Sequence, residues 1–214
     1  MKIKAALFDL DGVILDTEPQ YTFFWNEQGR KYLNRVNLGL EIKGMSLHFI
    51  LQNYFGDDPK TRKQIKNDLD YFERSMNLEF IPGIQDFLLK LKSRKIKTAV
   101  VTSSSERKME NVYKKIPGFK NLFDKIFTAE DYPKSKPAPD CYITGAAYFK
   151  TLPEETLVFE DSVNGLISGR DSGMILVGLA TTNPPETVRK YTTIVIKNFV
   201  DLSLEKIDGL SYAP

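Results

Sequence analysis

The chain has 214 residues, 42% of them hydrophobic and 27% charged, which suits one sizeable folded core and excludes wholesale disorder. Lys and Arg number 30 against 28 Asp and Glu, and the formal net charge of +2 excludes a global field for nucleic acid. One cysteine and one histidine exclude an intramolecular disulfide, a Cys-rich zinc site and a multi-histidine metal cluster.

The N-terminus, "MKIKAALFDLDG", is basic and then apolar, like the start of a signal peptide. Acid at Asp9 and Asp11 interrupts the apolar run after about five residues, too soon for an h-region, so it reads as a first β-strand. No apolar run approaches the roughly 20 residues of a membrane helix. The expectation is a cytoplasmic protein that uses neither a membrane nor nucleic acid as partner.

Residues 17–80 then read helix after helix: "YTFFWNEQGRKYL", "SLHFILQNYF" and "KTRKQIKNDLDYFERSM". In the last of these, Ile65, Leu69, Phe72 and Met76 trace one helical face. His48 lies inside the second stretch with no nucleophile elbow elsewhere, and reads as an ordinary helix residue. Pro82 and Gly83 punctuate the end of the segment.

Beyond them, the runs "KTAVVTS", "ETLVFED" and "MILVGLA", and the weaker "DKIFTAE" and "TTIVIKN", alternate with amphipathic stretches. Those stretches are "GIQDFLLKLKSR", "ERKMENVYKKI" and "DCYITGAAYFK", where Cys141 reads as a small helix residue. The pattern predicts an α/β fold, a doubly wound, Rossmann-like parallel sheet over residues 1–16 and 81–214. A small helical cap domain, residues 17–80, is inserted after the first strand. It is placed as a lid, because ligands of open α/β sheets bind beyond the carboxyl ends of the strands.

Three of the strong strands end in polar residues at that edge: Asp9-Leu10-Asp11-Gly12, Thr102-Ser103-Ser104-Ser105 and Glu160-Asp161-Ser162. One such ending is an ordinary strand-to-loop transition, but three converging on one edge call for a ligand. A buried carboxylate is costly unless paired or bound to a metal. Lys136 sits in "SKPAPD", stiffened by Pro137 and Pro139 with Pro133 upstream. Four acids, a fixed ammonium and a hydroxyl cluster describe a site for a hard cation such as Mg²⁺ and a phosphate.

The stretches "FDLDGVILDTEP", "VVTSSS", "SKPAPD" and "VFEDSVNGL" resemble, in order, the four motifs of the haloacid dehalogenase superfamily of phosphohydrolases. The closer resemblance, over residues 3–180, is to its subgroup with a helical cap after the first strand, which holds β-phosphoglucomutases and sugar-phosphate phosphatases. The resemblance implies Asp9 as nucleophile through an aspartyl-phosphate and Asp11 as general acid/base. It implies Mg²⁺ held by Asp9, the Asp11 carbonyl and Asp161, with Glu160 ligating or supporting. Thr102, the Ser103 backbone and Lys136 would bind the transferring phosphoryl oxygens, and Lys43 would reach the substrate from the cap.

Three departures from the mutase pattern follow from the same resemblance. Tyr21 stands where the mutase has a hinge histidine, and "KGMSL" puts Leu47 where it has an arginine. Ser105 and Glu106 stand where it has a lysine after the second motif. The expected activity is Mg²⁺-dependent hydrolysis of a small phosphorylated metabolite, a sugar phosphate being the favoured class. A phosphoglucomutase-like isomerase is the alternative. A true dehalogenase would have no use for Asp11, and a non-catalytic module would have no chemical need for the whole set.

Overall fold

All six apolar runs become strands, and each amphipathic stretch between them becomes a helix. The structure is a computed structural model and describes residues 2–43, 45–56, 58–200 and 202–209. Residue 1 and residues 210–214 of the expected core, and Gly44 of "KGMSL", lie outside the described residues.

The first strand, β1 (Ala5–Phe8), is followed by four helices, α1 (Glu18–Leu33), α2 (Leu38–Glu41), α3 (Leu47–Tyr54) and α4 (Pro59–Ser75). The alternation then runs α5 (Ile84–Ser93), β2 (Lys97–Val101), α6 (Glu106–Lys115), β3 (Lys125–Phe127), α7 (Asp140–Phe149) and β4 (Thr156–Glu160). It closes with α8 (Val163–Asp171), β5 (Ile175–Leu179), α9 (Pro185–Val188), β6 (Ile194–Ile196) and α10 (Leu204–Asp208).

The strands form one parallel sheet in the order β3-β2-β1-β4-β5-β6. Chain order reverses direction across β1 and β4, the topological switch at which open α/β sheets carry their ligands. β1 lies between β2 and β4, with Leu7 in register with Ala99 on one side and Val158 on the other. The polar endings of three separate motifs are thereby set side by side.

Both faces of β1 are covered, which is why it reads as an unbroken apolar run. Ala6 and Phe8 pack with Phe87 and Leu91 of α5 and Met109 and Val112 of α6. Leu7, on the opposite face, packs with Cys141, Tyr142 and Ala146 of α7 and Leu166 of α8. Phe8 stacks on Phe159 with ring centroids 4.6 Å apart. Each such buried ring contributes about 1.5–3 kcal/mol by area, so β1 is firmly anchored under the acids that follow it.

The helices α1–α4 bury a cluster of their own, including Phe24, Trp25, Leu38, Ile50, Phe55, Ile65 and Leu69. Ile65 and Leu69 of α4 point into it and Phe72 packs against it, the face expected from their spacing. Asp58 caps α4 by accepting from the Lys60 N–H, with Pro59 in the first turn. Two chain segments run side by side into and out of this helical part: the Asp16 N–H donates to Glu79 O (2.8 Å) and the Ile81 N–H to Ile14 O (2.9 Å).

Candidate active site

Asp9 follows β1, and its carboxylate receives the Lys136 ammonium at 2.5 Å. Lys136 also donates to Glu160 Oε1 (2.6 Å) and to Val101 O (3.1 Å), so its three N–H donors are matched by three acceptors. Its side chain is 1% exposed, and such a charge is tolerable only because it is paired on two sides. The two carboxylates hold the Lys136 ammonium well above its ordinary value against the opposing effect of burial. Burial pushes Asp9 up to about 7, with Glu160 and Asp11 adding to the rise and Lys136 opposing it.

Glu160 and Asp161, adjacent in sequence, stand in different surroundings. Glu160 Oε1 accepts from Lys136 and from the Tyr142 hydroxyl (2.7 Å). Its Oε2 accepts from the Asp161 N–H (3.0 Å), the Ser162 N–H (3.4 Å) and the Ser162 hydroxyl (3.3 Å). A Cβ at Gly165, in the first turn of α8, would stand 2.0 Å from both Glu160 oxygens, so only glycine leaves room for the carboxylate. The Asp161 oxygens, by contrast, are buried without a hydrogen-bond partner. Burial raises the Asp161 carboxyl well above the carboxylate range, and the nearby anions Glu18, Glu160 and Asp9 push the same way.

Oxygens of Asp9, Glu160 and Asp161 approach within 4.8 Å of one another. Orphaned, buried carboxylate oxygens on Asp161 are what a hard cation would satisfy, and the all-oxygen donor set fits one. Gly12 keeps the approach open: its φ is +77° and a Cβ there would lie 2.0 Å from Asp161 Oδ2. Two residues that sequence reading overlooked fix the surrounding backbone. Thr181 donates to Gly12 O (2.6 Å) and Asn183 to Asp161 O (2.8 Å).

Thr102 directly follows β2 as a buried residue, and its Oγ1 accepts from the Ser104 N–H at 3.0 Å. Ser103 follows with a buried hydroxyl that has no partner. Both line a cavity of about 590 Å³ together with Asp9, Asp11 and Lys136. Ser105 caps α6, so the loop after β2 passes directly into a helix N-terminus.

Asp11 has different partners from Asp9. One oxygen accepts from the Thr17 hydroxyl, and the other from the Ser104 hydroxyl (3.2 Å) and the Lys108 ammonium (2.5 Å). Sequence reading places Ser105 and Glu106 where the mutase has a lysine after the second motif, and does not find Lys108. The structure corrects this, because the helix turn from Ser105 carries Lys108 back into the cavity. The available signal was its place four residues before Val112 and beside Met109, within the buried stripe of an otherwise polar helix.

Among residues 17–80, Lys43 lines the cavity, and its ammonium is paired with Glu18 at 3.4 Å. Tyr21, also in the lining, donates to Glu73 Oε1 at 2.9 Å. Leu47 lines the cavity too, without a donor to offer an anion. Arg107, next to Lys108, reaches Asp70 of α4 at 2.7 Å, and the Asn164 amide reaches Lys43 O at 3.0 Å. Both contacts join the sheet domain to the helical segment across the cavity.

Residues 3–173 match the haloacid dehalogenase-like hydrolase family. The phosphorylated carbohydrates phosphatase of Thermotoga maritima is 25% identical over 187 residues, 80% of this chain and 82% of that protein. The β-phosphoglucomutase of Bacillus subtilis is 28% identical over 218 residues, 95% of this chain and 93% of that protein. Hexitol phosphatase A of Escherichia coli is 28% identical over 217 residues, 99% of this chain and 94% of that protein. A family IA hydrolase structure from Entamoeba histolytica superposes with a TM-score of 0.82 at 20% identity, over 96% of this chain and 97% of that one, a likeness of fold. With the family matched over most of its length, and the fold and the order of its motifs in agreement, this chain belongs to the haloacid dehalogenase-like hydrolases and is a phosphoric monoester hydrolase.

Proposed function

We propose that the protein is a Mg²⁺-dependent phosphatase that hydrolyses a small phosphorylated carbohydrate through an aspartyl-phosphate on Asp9. The observation that carries this is the division of labour between two aspartates two residues apart. Asp9 faces Lys136 and the acidic cluster, while Asp11 is held toward the cap by Thr17, Ser104 and Lys108. One carboxylate is set at the phosphoryl group and the other at the leaving oxygen.

In this reading an Asp9 carboxylate oxygen attacks phosphorus, the ester P–O bond breaks, and the departing oxygen takes a proton from Asp11. Asp11 then takes a proton from water as that water attacks the aspartyl-phosphate, and the carboxylate of Asp9 is released with phosphate. Thr102, the Ser103 backbone and Lys136 orient the phosphoryl oxygens. Asp9, the Asp11 carbonyl and Asp161 would hold Mg²⁺, which neutralises phosphoryl charge when bound. Glu160, with both oxygens already engaged, supports the site from behind. Residues 17–80 act as the cap over a core of residues 1–16 and 81–214, a division supported by their separate apolar clusters. Paired polar groups on the cap wall, Glu18 with Lys43 and Tyr21 with Glu73, suit a hydroxyl-bearing leaving group.

Turnover of p-nitrophenyl phosphate is expected with Mg²⁺ and is expected to vanish with EDTA. Phosphate release from a panel of sugar phosphates then ranks substrates. The isomerase reading is kept by the likeness to the Bacillus subtilis mutase and by the ammonium of Lys108 in the cavity. A coupled assay for glucose 6-phosphate from β-glucose 1-phosphate, run with the bisphosphate activator beside a phosphate assay, decides between the two. Phosphate release without isomerisation is expected, because Leu47 cannot grip a second phosphate. Isomerisation outpacing release would overturn the phosphatase reading.

The raised carboxyl of Asp9 gives a second check. Its folded value, about 7, lies above the ordinary carboxylate value, so the metal-free fold holds more protons than the unfolded chain between these limits. Stability of the metal-free protein is therefore expected to fall as pH rises through that window. Mg²⁺ replaces those protons, so it is expected to raise the melting temperature more at pH 8 than at pH 6. An equal or larger gain at pH 6 would count against a cation at Asp9.

A further inference from the structure

Lys108 has a side chain 8% exposed, and its ammonium makes an ion pair outside its own helix, α6. A methionine would fill this position with a similar volume but would leave the Asp11 carboxylate without its ion-pair partner, so packing alone does not call for an ammonium here. What the ammonium does instead is local. It donates to Asp11 Oδ2 at 2.5 Å, beside the Ser104 hydroxyl on the same oxygen. The other Asp11 oxygen is taken by Thr17. Three donors from two chain segments, Thr17 on one and Ser104 and Lys108 on the other, thus fix the rotation of one carboxyl group.

The cap in turn fixes the ammonium. Lys108 Nζ stands 4.4 Å from the centroid of the Tyr21 ring, within cation–π range. The Tyr21 hydroxyl is tied to Glu73 on α4, which sets the plane of that ring. Arg107, the preceding residue, is tied to Asp70 one turn earlier on the same helix α4. Two consecutive side chains of α6 therefore meet the cap, one through an ion pair and the other through an aromatic face.

We infer that Lys108 is a positioning residue for the leaving-group chemistry: it aims the Asp11 carboxyl at the departing oxygen, and Tyr21 of the cap holds it there. The inference rests on the acid/base role proposed for Asp11. Its signature is a dependence on the leaving group. A nitrophenolate departs with little help from a proton, whereas a sugar or glycerol oxygen needs one. In the transfer step, read as leaving-group release in a single turnover, only the alkyl ester therefore depends strongly on the aim of Asp11; the later attack of water is common to both esters.

The test compares Lys108→Met, Lys108→Arg and Asp11→Asn on p-nitrophenyl phosphate and on the best alkyl phosphate from the substrate panel. Lys108→Met is expected to lower the single-turnover rate of leaving-group release by about 10- to 100-fold for the alkyl ester and by less than about 3-fold for the nitrophenyl ester, below the full effect of a positioned acid/base. KM should change little and Lys108→Arg should restore part of the lost rate; because Lys108→Met breaks a largely buried ion pair, its melting temperature is measured and the assays are run well below it. Equal losses on both esters, or a loss carried by KM, would overturn the inference in favour of packing or substrate binding. Asp11→Asn serves as the control for the reading beneath it. If that variant slows single-turnover leaving-group release from both esters alike, the acid assignment itself fails; if it discriminates while Lys108→Met does not, only the inference about Lys108 fails.

Discussion

Asp9→Asn is expected to reduce phosphatase turnover to the background rate while leaving a folded protein. The substitution keeps the shape of the side chain and an oxygen able to accept from Lys136, but the amide is not an anionic nucleophile. The proposed route through a covalent intermediate closes, and no neighbouring group replaces it: Glu160 is spent on five donors and Asp161 is a proposed cation ligand. Circular dichroism and thermal melting check the fold, and a phosphate assay checks turnover. Because Asp9 is also a proposed cation ligand, the rise in melting temperature on adding Mg²⁺ should shrink as well. Turnover within tenfold of the parent protein would rule out the covalent mechanism, since water attacking phosphorus directly would not need this carboxylate.

Lys136→Met is expected to damage stability as well as turnover. The lysine is the one cation that touches both Asp9 and Glu160 among the described residues, and Glu160 is fully buried. Removing one partner from a buried charge cluster typically costs about 3–5 kcal/mol, because the remaining charges are left uncompensated. For a chain of this size that corresponds to a fall in melting temperature of roughly 6–20 °C. The loss should depend on pH. Burial lifts Asp9 to about 7 even with the ammonium opposing the rise, so without Lys136 its carboxyl protonates more readily still. Protonation removes the uncompensated charge, and the deficit of EDTA-treated Lys136→Met should be smaller at pH 6 than at pH 8. A deficit unchanged between those pH values would show that the lysine matters for packing and not for charge.

The sequence alone determined the strands, the helical insertion and the convergence of the acids. Period and composition were enough to find β1, β2, β4 and β5, and the 3.6-residue spacing of Ile65, Leu69 and Phe72 was enough to place α4. Once strands alternate with helices, parallel pairing puts their carboxyl ends on one edge, so Asp9, Thr102, Glu160 and Asp161 had to come near one another, while Lys136, in a loop, was assigned to them by the resemblance of "SKPAPD". The tertiary structure decided what each of these groups faces. Glu160 and Asp161 are neighbouring acids in the sequence, yet one receives hydrogen bonds from Lys136, Tyr142 and Ser162 and the other keeps both oxygens bare. Lys108 and Asp11 meet across 97 residues, and Tyr21 and Glu73 across 52. A lysine on a solvated face and a lysine aimed into a cavity are the same letter. Which of them α6 presents depends on how that helix packs between the sheet and the cap, and local spacing carries no record of a contact made by side chains so far apart in the chain.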